Sequence, residues 1–123
     1  MISNCNNNQY DYENSNKSRN KRQQTHVHEY QGSTMFAEED EDRHNHRFAG
    51  VTGEAMYING GKDHVHKVIR DNTDFFDHHH QICDTTGPAI KIEGTGKHIH
   101  LLCGHTTVND EHCHKYLFVT QIE

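Results

Sequence analysis

From residue 26 onward, apolar and polar positions alternate in short runs with a period of two, and no stretch keeps a 3.6-residue period over helical length. The runs predict strands over 26–31, 44–51, 54–58, 64–69, 78–83, 89–92, 98–103 and 112–119. Turn signals separate them: Thr52-Gly53, Asn59-Gly60-Gly61, Asp71-Asn72, Thr86-Gly87, then Gly94 and Gly96. Pro88 falls at the start of a short strand, where a missing donor is tolerated. The pattern predicts an all-β fold of mainly antiparallel short strands joined by short turns. Phe75 and Phe76 are expected to pack on this domain.

Residues i and i+2 of a strand share a face. On one face the strands read histidine, histidine, then a large apolar residue: Tyr30, Phe48, Val68, Ile82, Leu102, and Tyr116 followed by Phe118. That face is expected to be the interior. The histidine pairs are His26/His28, His44/His46, His64/His66, His78/His80, His98/His100 and His112/His114, and they use 12 of the 14 histidines. They repeat with a period of 34 residues. Segment 44–77 lies on segment 78–111 without a gap and with 10 identities. Such a repeat governs the fold more than any single motif. It pairs the strands as hairpins 26/44, 64/78 and 98/112.

Neutral histidines packed inside need hydrogen-bond partners, and charged ones repel each other. A metal ion explains six pairs at one strand position, because imidazoles from i and i+2 can converge on one ion. All 12 paired histidines are therefore candidate ligands. Two pairs facing across a hairpin would make a tetrahedral four-histidine zinc site. Three pairs around a threefold axis would make an octahedral six-nitrogen site for iron(II), nickel or cobalt. The expected cofactors are transition-metal ions: iron, zinc or nickel. His79 and His105 break the pattern and read as surface residues or as groups behind the ligands.

Composition narrows the classes. The apolar fraction is 31% and the formal charge −6. Residues 1–25 are Asn-rich, with a basic cluster at Lys17, Arg19, Lys21 and Arg22, and read as a disordered tail. The domain is expected over 26–123. It holds 16 acidic and 8 basic residues, which argues against a nucleic-acid face. The acidic run Glu38–Asp42 lacks calcium-loop spacing and reads as a solvated loop. No apolar run approaches 18 residues and no signal peptide is evident, so no membrane partner is expected and the cytoplasm is the default location. No CxxC is present. Cys83, Cys103 and Cys113 sit at odd offsets from the histidines of their strands, so they are not expected to share a metal with them. They read as small buried hydrophobes, with a Cys103–Cys113 bridge as an alternative.

The chain resembles the YmaF family of small histidine-rich bacterial proteins. The resemblance is carried by His26-Val27-His28-Glu29, by the run from Ala37 through His44-Asn45-His46 to Ala55, and by Asp74-Phe75-Phe76-Asp77-His78-His79-His80. Thr85-Thr86-Gly87-Pro88-Ala89-Ile90 and the closing Gln121-Ile122-Glu123 extend it over about 26–123. It implies a unit and not a mechanism. A looser likeness, in motif and repetition only, is to viral tail-fibre needles, where His-x-His pairs from three intertwined chains hold iron ions.

The expected function is metal binding of a structural or storage type, without catalysis. The alternatives are a small metalloenzyme with one open histidine site, for which His78/His80 is the candidate, and a metal-free, pH-responsive surface protein. A homotrimer is expected because so few apolar residues gain from sharing the histidine face. A monomer whose three hairpins close around an internal pseudo-threefold is the alternative.

Overall fold

Alternating side chains and short turns give the described residues ten strands. In the computed structural model, which describes residues 25–75 and 77–123, these are β1 (Glu29–Ser33), β2 (Arg47–Val51), β3 (Met56–Ile58), β4 (Asp63–Val65), β5 (Lys67–Asn72), β6 (Gln81–Thr85), β7 (Ile90–Ile92), β8 (Lys97–Ile99), β9 (Leu101–His105) and β10 (Lys115–Val119). The Asn-rich tail expected over 1–25 lies outside the described residues except for Thr25, and so does Phe76. The acidic run forms an exposed 3₁₀ turn at Asp40–Asp42.

The fold is all-β, and every pairing between named strands is antiparallel. Three longer hairpins, β1–β2, β5–β6 and β9–β10, are the pairs the repeat predicts. Two short hairpins, β3–β4 and β7–β8, link them in sequence. The strand bounds differ from expectation in one consistent way. Each histidine pair precedes its long strand instead of opening it, and the stretches expected as 64–69 and 98–103 are each interrupted at the second histidine, His66 and His100. There the histidine N–H donates to a threonine hydroxyl, of Thr86 or Thr120, in place of a ladder carbonyl.

The three longer hairpins close on one another. At one end, Gly53 N–H donates to the Lys67 carbonyl, Gly87 to Leu101 and Gln121 to Glu29; at the other, Asp74 donates to Arg47, Thr107 to Gln81 and Met35 to Lys115, all at 2.8–3.0 Å. The third hairpin thus returns to the first, which gives one chain a pseudo-threefold axis. The interior is the face the alternation marks. Tyr30, Phe48, Val68, Ile82, Leu102, Tyr116 and Phe118 form the apolar cluster. All but Phe118 stand two residues after an inner histidine.

Two aromatic residues in this thin core need glycine opposite them. Tyr30 faces Gly50 across the β1–β2 ladder, and Tyr116 faces Gly104 across β9–β10. The Tyr116 hydroxyl donates to Asp84 at 2.7 Å. A Cβ on Gly50 would sit 2.5 Å from both the Tyr30 hydroxyl and an Asp71 carboxylate oxygen. Overpacking a filled interior costs about 1–3 kcal/mol. Gly50→Ala is therefore expected to lower the denaturation midpoint by that much. Gly53→Ala, where the nearest atom is 3.7 Å away, should change it little. Urea unfolding of the two variants checks the contrast.

Several expectations need correction. Phe75 is exposed and stacks on His79 at 4.1 Å, so it covers that ring and not the core. Cys103 is exposed on the outer face of β9 and is free, as is Cys113, so neither the buried reading of Cys103 nor a Cys103–Cys113 bridge holds. The gapless alignment of the repeat also hides a shift. A bulge between Val68 and Asp71, with Arg70 at φ 48°, adds one residue to β5. The structural counterpart of Thr73 is consequently Thr106 and not Thr107.

Candidate metal centres

Antiparallel pairing sends the two histidine pairs of one hairpin to opposite ends. Pairs that open the hairpins meet at one pole, and pairs that begin the return strands meet at the other. His26, His28, His64, His66, His98 and His100 form a first cluster; His44, His46, His78, His80, His112 and His114 form a second. Within each cluster the ligand nitrogens lie within 4.8 Å of one another. All 12 candidate ligands are thus brought together, in two sets of six from one chain. A four-histidine site across a hairpin does not form, because the hairpin partners end at opposite poles. No third chain is needed to complete either set. His79 and His105 stand outside both, as expected.

In each pair the second histidine is deeply buried and the first lies at the rim. The six inner rings are held alike. The Nδ1 of His28 meets the Gln121 carbonyl, His66 that of Gly53, and His100 that of Gly87, each at 2.9 Å. His46 meets the carbonyl of Asp74, His80 that of Thr107 and His114 that of Met35, at 3.0–3.1 Å. Carbonyls only accept, so each Nδ1 carries the hydrogen and each Nε2 is left with a lone pair. Every acceptor belongs to the neighbouring hairpin.

Six threonines fix the backbone beneath these rings. The N–H of His28 donates to the hydroxyl of Thr52, His46 to Thr34, His66 to Thr86, His80 to Thr73, His100 to Thr120 and His114 to Thr106, at 3.0–3.1 Å. Each threonine N–H returns a bond to the same histidine's carbonyl, at 2.8–2.9 Å. All six threonines are buried. Their signal in the sequence is a threonine six residues after an inner histidine, or seven where the β5 bulge intervenes. The strand reading did not use it. The next residue supplies the carbonyl that orients a ring, so one short motif serves two hairpins.

The Nε2 atoms converge. In the first cluster the three rim nitrogens, of His26, His64 and His98, are mutually 3.1 Å apart. His28 is 3.1 Å from His98, and His100 3.1 Å from His64. In the second cluster the corresponding contacts are 3.1–3.2 Å. Among the described residues the buried Nε2 atoms of His66 and His114 have no hydrogen-bond partner. A regular octahedron with such edges has its centre about 2.2 Å from each corner, close to the metal–imidazole distance of about 2.0–2.1 Å known for zinc. The T-shaped ring arrangement leaves that centre in common to all six.

The electrostatics favour the neutral form at eight of the rings. Burial, followed by the mutual repulsion of neighbouring rings, pushes His66 and His80 down to about 3 and His64, His100 and His114 to about 4, with hydrogen bonds to backbone carbonyls opposing this at every one of them but His64. Burial lowers His26, His46 and His98 as well.

A third group, Asp77, His78 and Asp110, also gathers potential ligand atoms. Here His78 Nδ1 meets Asp77 at 2.7 Å. With its Nε2 in the second cluster, that ring uses Nδ1 to donate and not to ligate. The two carboxylates are backing for His78, in the manner of carboxylate–histidine–metal arrangements.

Among known proteins, neither a curated protein nor a solved structure matches the chain. A family model described as "YmaF: Spore germination protein GerY/YamF" matches residues 23–122, nearly the whole of the described chain. The chain belongs to the YmaF family.

Proposed function

We propose that this protein is a metal-binding protein of structural or storage type, and that each six-histidine cluster holds one transition-metal ion. The observation that carries this is the convergence of the Nε2 lone pairs while the Nδ1 hydrogens of all six inner rings are committed to carbonyls. Without a cation the buried Nε2 atoms of His66 and His114 have no partner among the described residues, an arrangement that costs free energy. With one, each ring is a pre-oriented neutral ligand. Six nitrogens at octahedral edges favour iron(II), nickel or cobalt over tetrahedral zinc. A shell of six histidines leaves no position for substrate, so this reading is not catalytic. His66, His80, His100 and His114 resist protonation until well below neutral pH, which disfavours a switch working near pH 7. The matching family model is described as a spore germination protein, and a fold stabilised by bound metal would suit such a role.

Elemental analysis of natively purified, untagged protein tests the reading. Two ions per chain are expected, carried by a particle near 14.3 kDa in light scattering, since both sets are complete in one chain. Less than about 0.1 ion per chain, unchanged after reconstitution with iron(II), nickel or cobalt, rejects the reading. A particle three times heavier restores the trimer.

A further inference from the structure

The two poles are built alike in their ligands and differently in what stands behind them. At the second cluster, His46 Nδ1 is 3.1 Å from an Asp74 carboxylate oxygen, His78 Nδ1 is 2.7 Å from Asp77, and His112 Nδ1 is 3.4 Å from Glu38. At the first cluster the inner rings donate to the carbonyls of Gln121, Gly53 and Gly87. Among the described residues no carboxylate forms an ion pair with a ring there. Asp63 accepts from the backbone N–H of His64 at 2.8 Å, but it and Glu123 act on the rim rings only through space.

The connections follow the same division. The three turns that close the longer hairpins all lie at the second pole. They span 34–46, 73–80 and 106–114, and carry nine acidic side chains against one arginine, Arg43. The links at the first pole, 52–66 and 86–100 with the end 120–123, carry four acidic side chains against three lysines. Lys62, Lys91 and Lys97 line a groove beside His64 and His98.

We infer that the two six-histidine sites are unequal, the second being the high-affinity site that fills first and the first a weaker, exchangeable site. This rests on the metal-binding reading above. A carboxylate that accepts from Nδ1 makes the ring a stronger donor at Nε2 and fixes its orientation, and removing such a partner weakens metal affinity by about 10–100-fold. Two of the second cluster's rings, His46 and His78, have one, and at His112 the Glu38 carboxylate stands 3.4 Å from an Nδ1 whose hydrogen bond goes to the Asp110 carbonyl. The surrounding acidic turns raise the local concentration of cations and speed their arrival, an effect that weakens as salt rises. The first cluster's lysines act in the opposite sense.

The test is a titration of the metal-free full chain with cobalt(II), followed by the histidine ring resonances in ¹⁵N-edited NMR under diamagnetic competition with zinc(II), and by calorimetry. The expected result is stepwise filling. The second-cluster rings respond to the first equivalent, with an affinity at least about tenfold above the other site. The triple variant Glu38→Gln, Asp74→Asn, Asp77→Asn keeps hydrogen-bonding oxygens at all three positions, including the one that accepts from the Arg47 N–H. It should lower the second site's affinity by about 10–100-fold, leave the first unchanged, and reduce the salt dependence of the association rate in part, since six of the nine acidic side chains remain. Filling of the first cluster before the second, or of both at equal affinity in the unaltered chain, overturns the inference while leaving the metal-binding reading intact. Because the filling order is read on the unaltered chain, misfolding of the variant does not blunt the test. No cobalt at either cluster would reject the metal-binding reading itself.

Discussion

Replacing His98 and His100 together with alanine is expected to empty the first cluster and lower stability by about 4 kcal/mol or more, a fall in Tm well over about 10 °C. Two costs add. An ion that binds only the folded chain contributes its binding free energy to folding, about 4 kcal/mol at a thousandfold excess over Kd. The inner ring also ties two hairpins together, since His100 Nδ1 donates to the Gly87 carbonyl. Removing the ring takes away that hydrogen bond, about 1 kcal/mol, while the Gly87 carbonyl keeps the Thr86 hydroxyl. His79→Ala and His105→Ala are the controls. Neither residue belongs to a cluster, and His79 only stacks on exposed Phe75. Metal content and thermal melts, with and without a chelator, separate the terms: the chelator should abolish most of the difference between wild type and the double variant. Equal losses from His79→Ala would show that the repeat is not a ligand pattern.

Much of this arrangement is legible in the chain. The period-two alternation marks the interior face, and all seven apolar residues it selects form the core. The 34-residue repeat selects the hairpin partners. What it leaves out is contact between hairpins. The carbonyl of Gly53 orients His66 and that of Gln121 orients His28, across separations that no local pattern measures. The threonines were further obscured by the bulge at Arg70, which moves Thr73 out of register with Thr106 by one position. The expectation of a trimer rested on the low apolar fraction and on three chains supplying six imidazoles to each ion. Six buried histidines and six buried threonines, each hydrogen-bonded to a neighbouring strand, fill the interior that the low apolar fraction left open. Both six-nitrogen sets then close inside one chain, and the burial argument for sharing that face loses its force.

The metal-free protein is expected to be acid-labile, losing its stability steadily as the pH falls from about 6.5 toward 4. The sign follows from the direction of the shifts. His64, His66, His80, His100 and His114 are held at about 3–4 in the folded chain, against 6.5 when unfolded. Between those limits the unfolded chain binds more protons, so stability rises with pH. The contribution is fully present above the unfolded value and is lost as the pH falls toward the folded ones. Neighbouring rings repel once charged, so they titrate together and not one by one. Even two protons taken up per molecule give a slope of about 2.7 kcal/mol per pH unit. A small domain holds only about 5–15 kcal/mol in total, so the unfolding midpoint should fall between about pH 4 and 6. Circular dichroism against pH at fixed salt measures it. Bound metal should move the midpoint lower, because each ion competes with protons for the same Nε2 lone pairs. A metal-free chain that keeps its sheet signal and its Tm unchanged down to pH 4 would mean that the rings charge as readily folded as unfolded, and that the two poles are not closed to water.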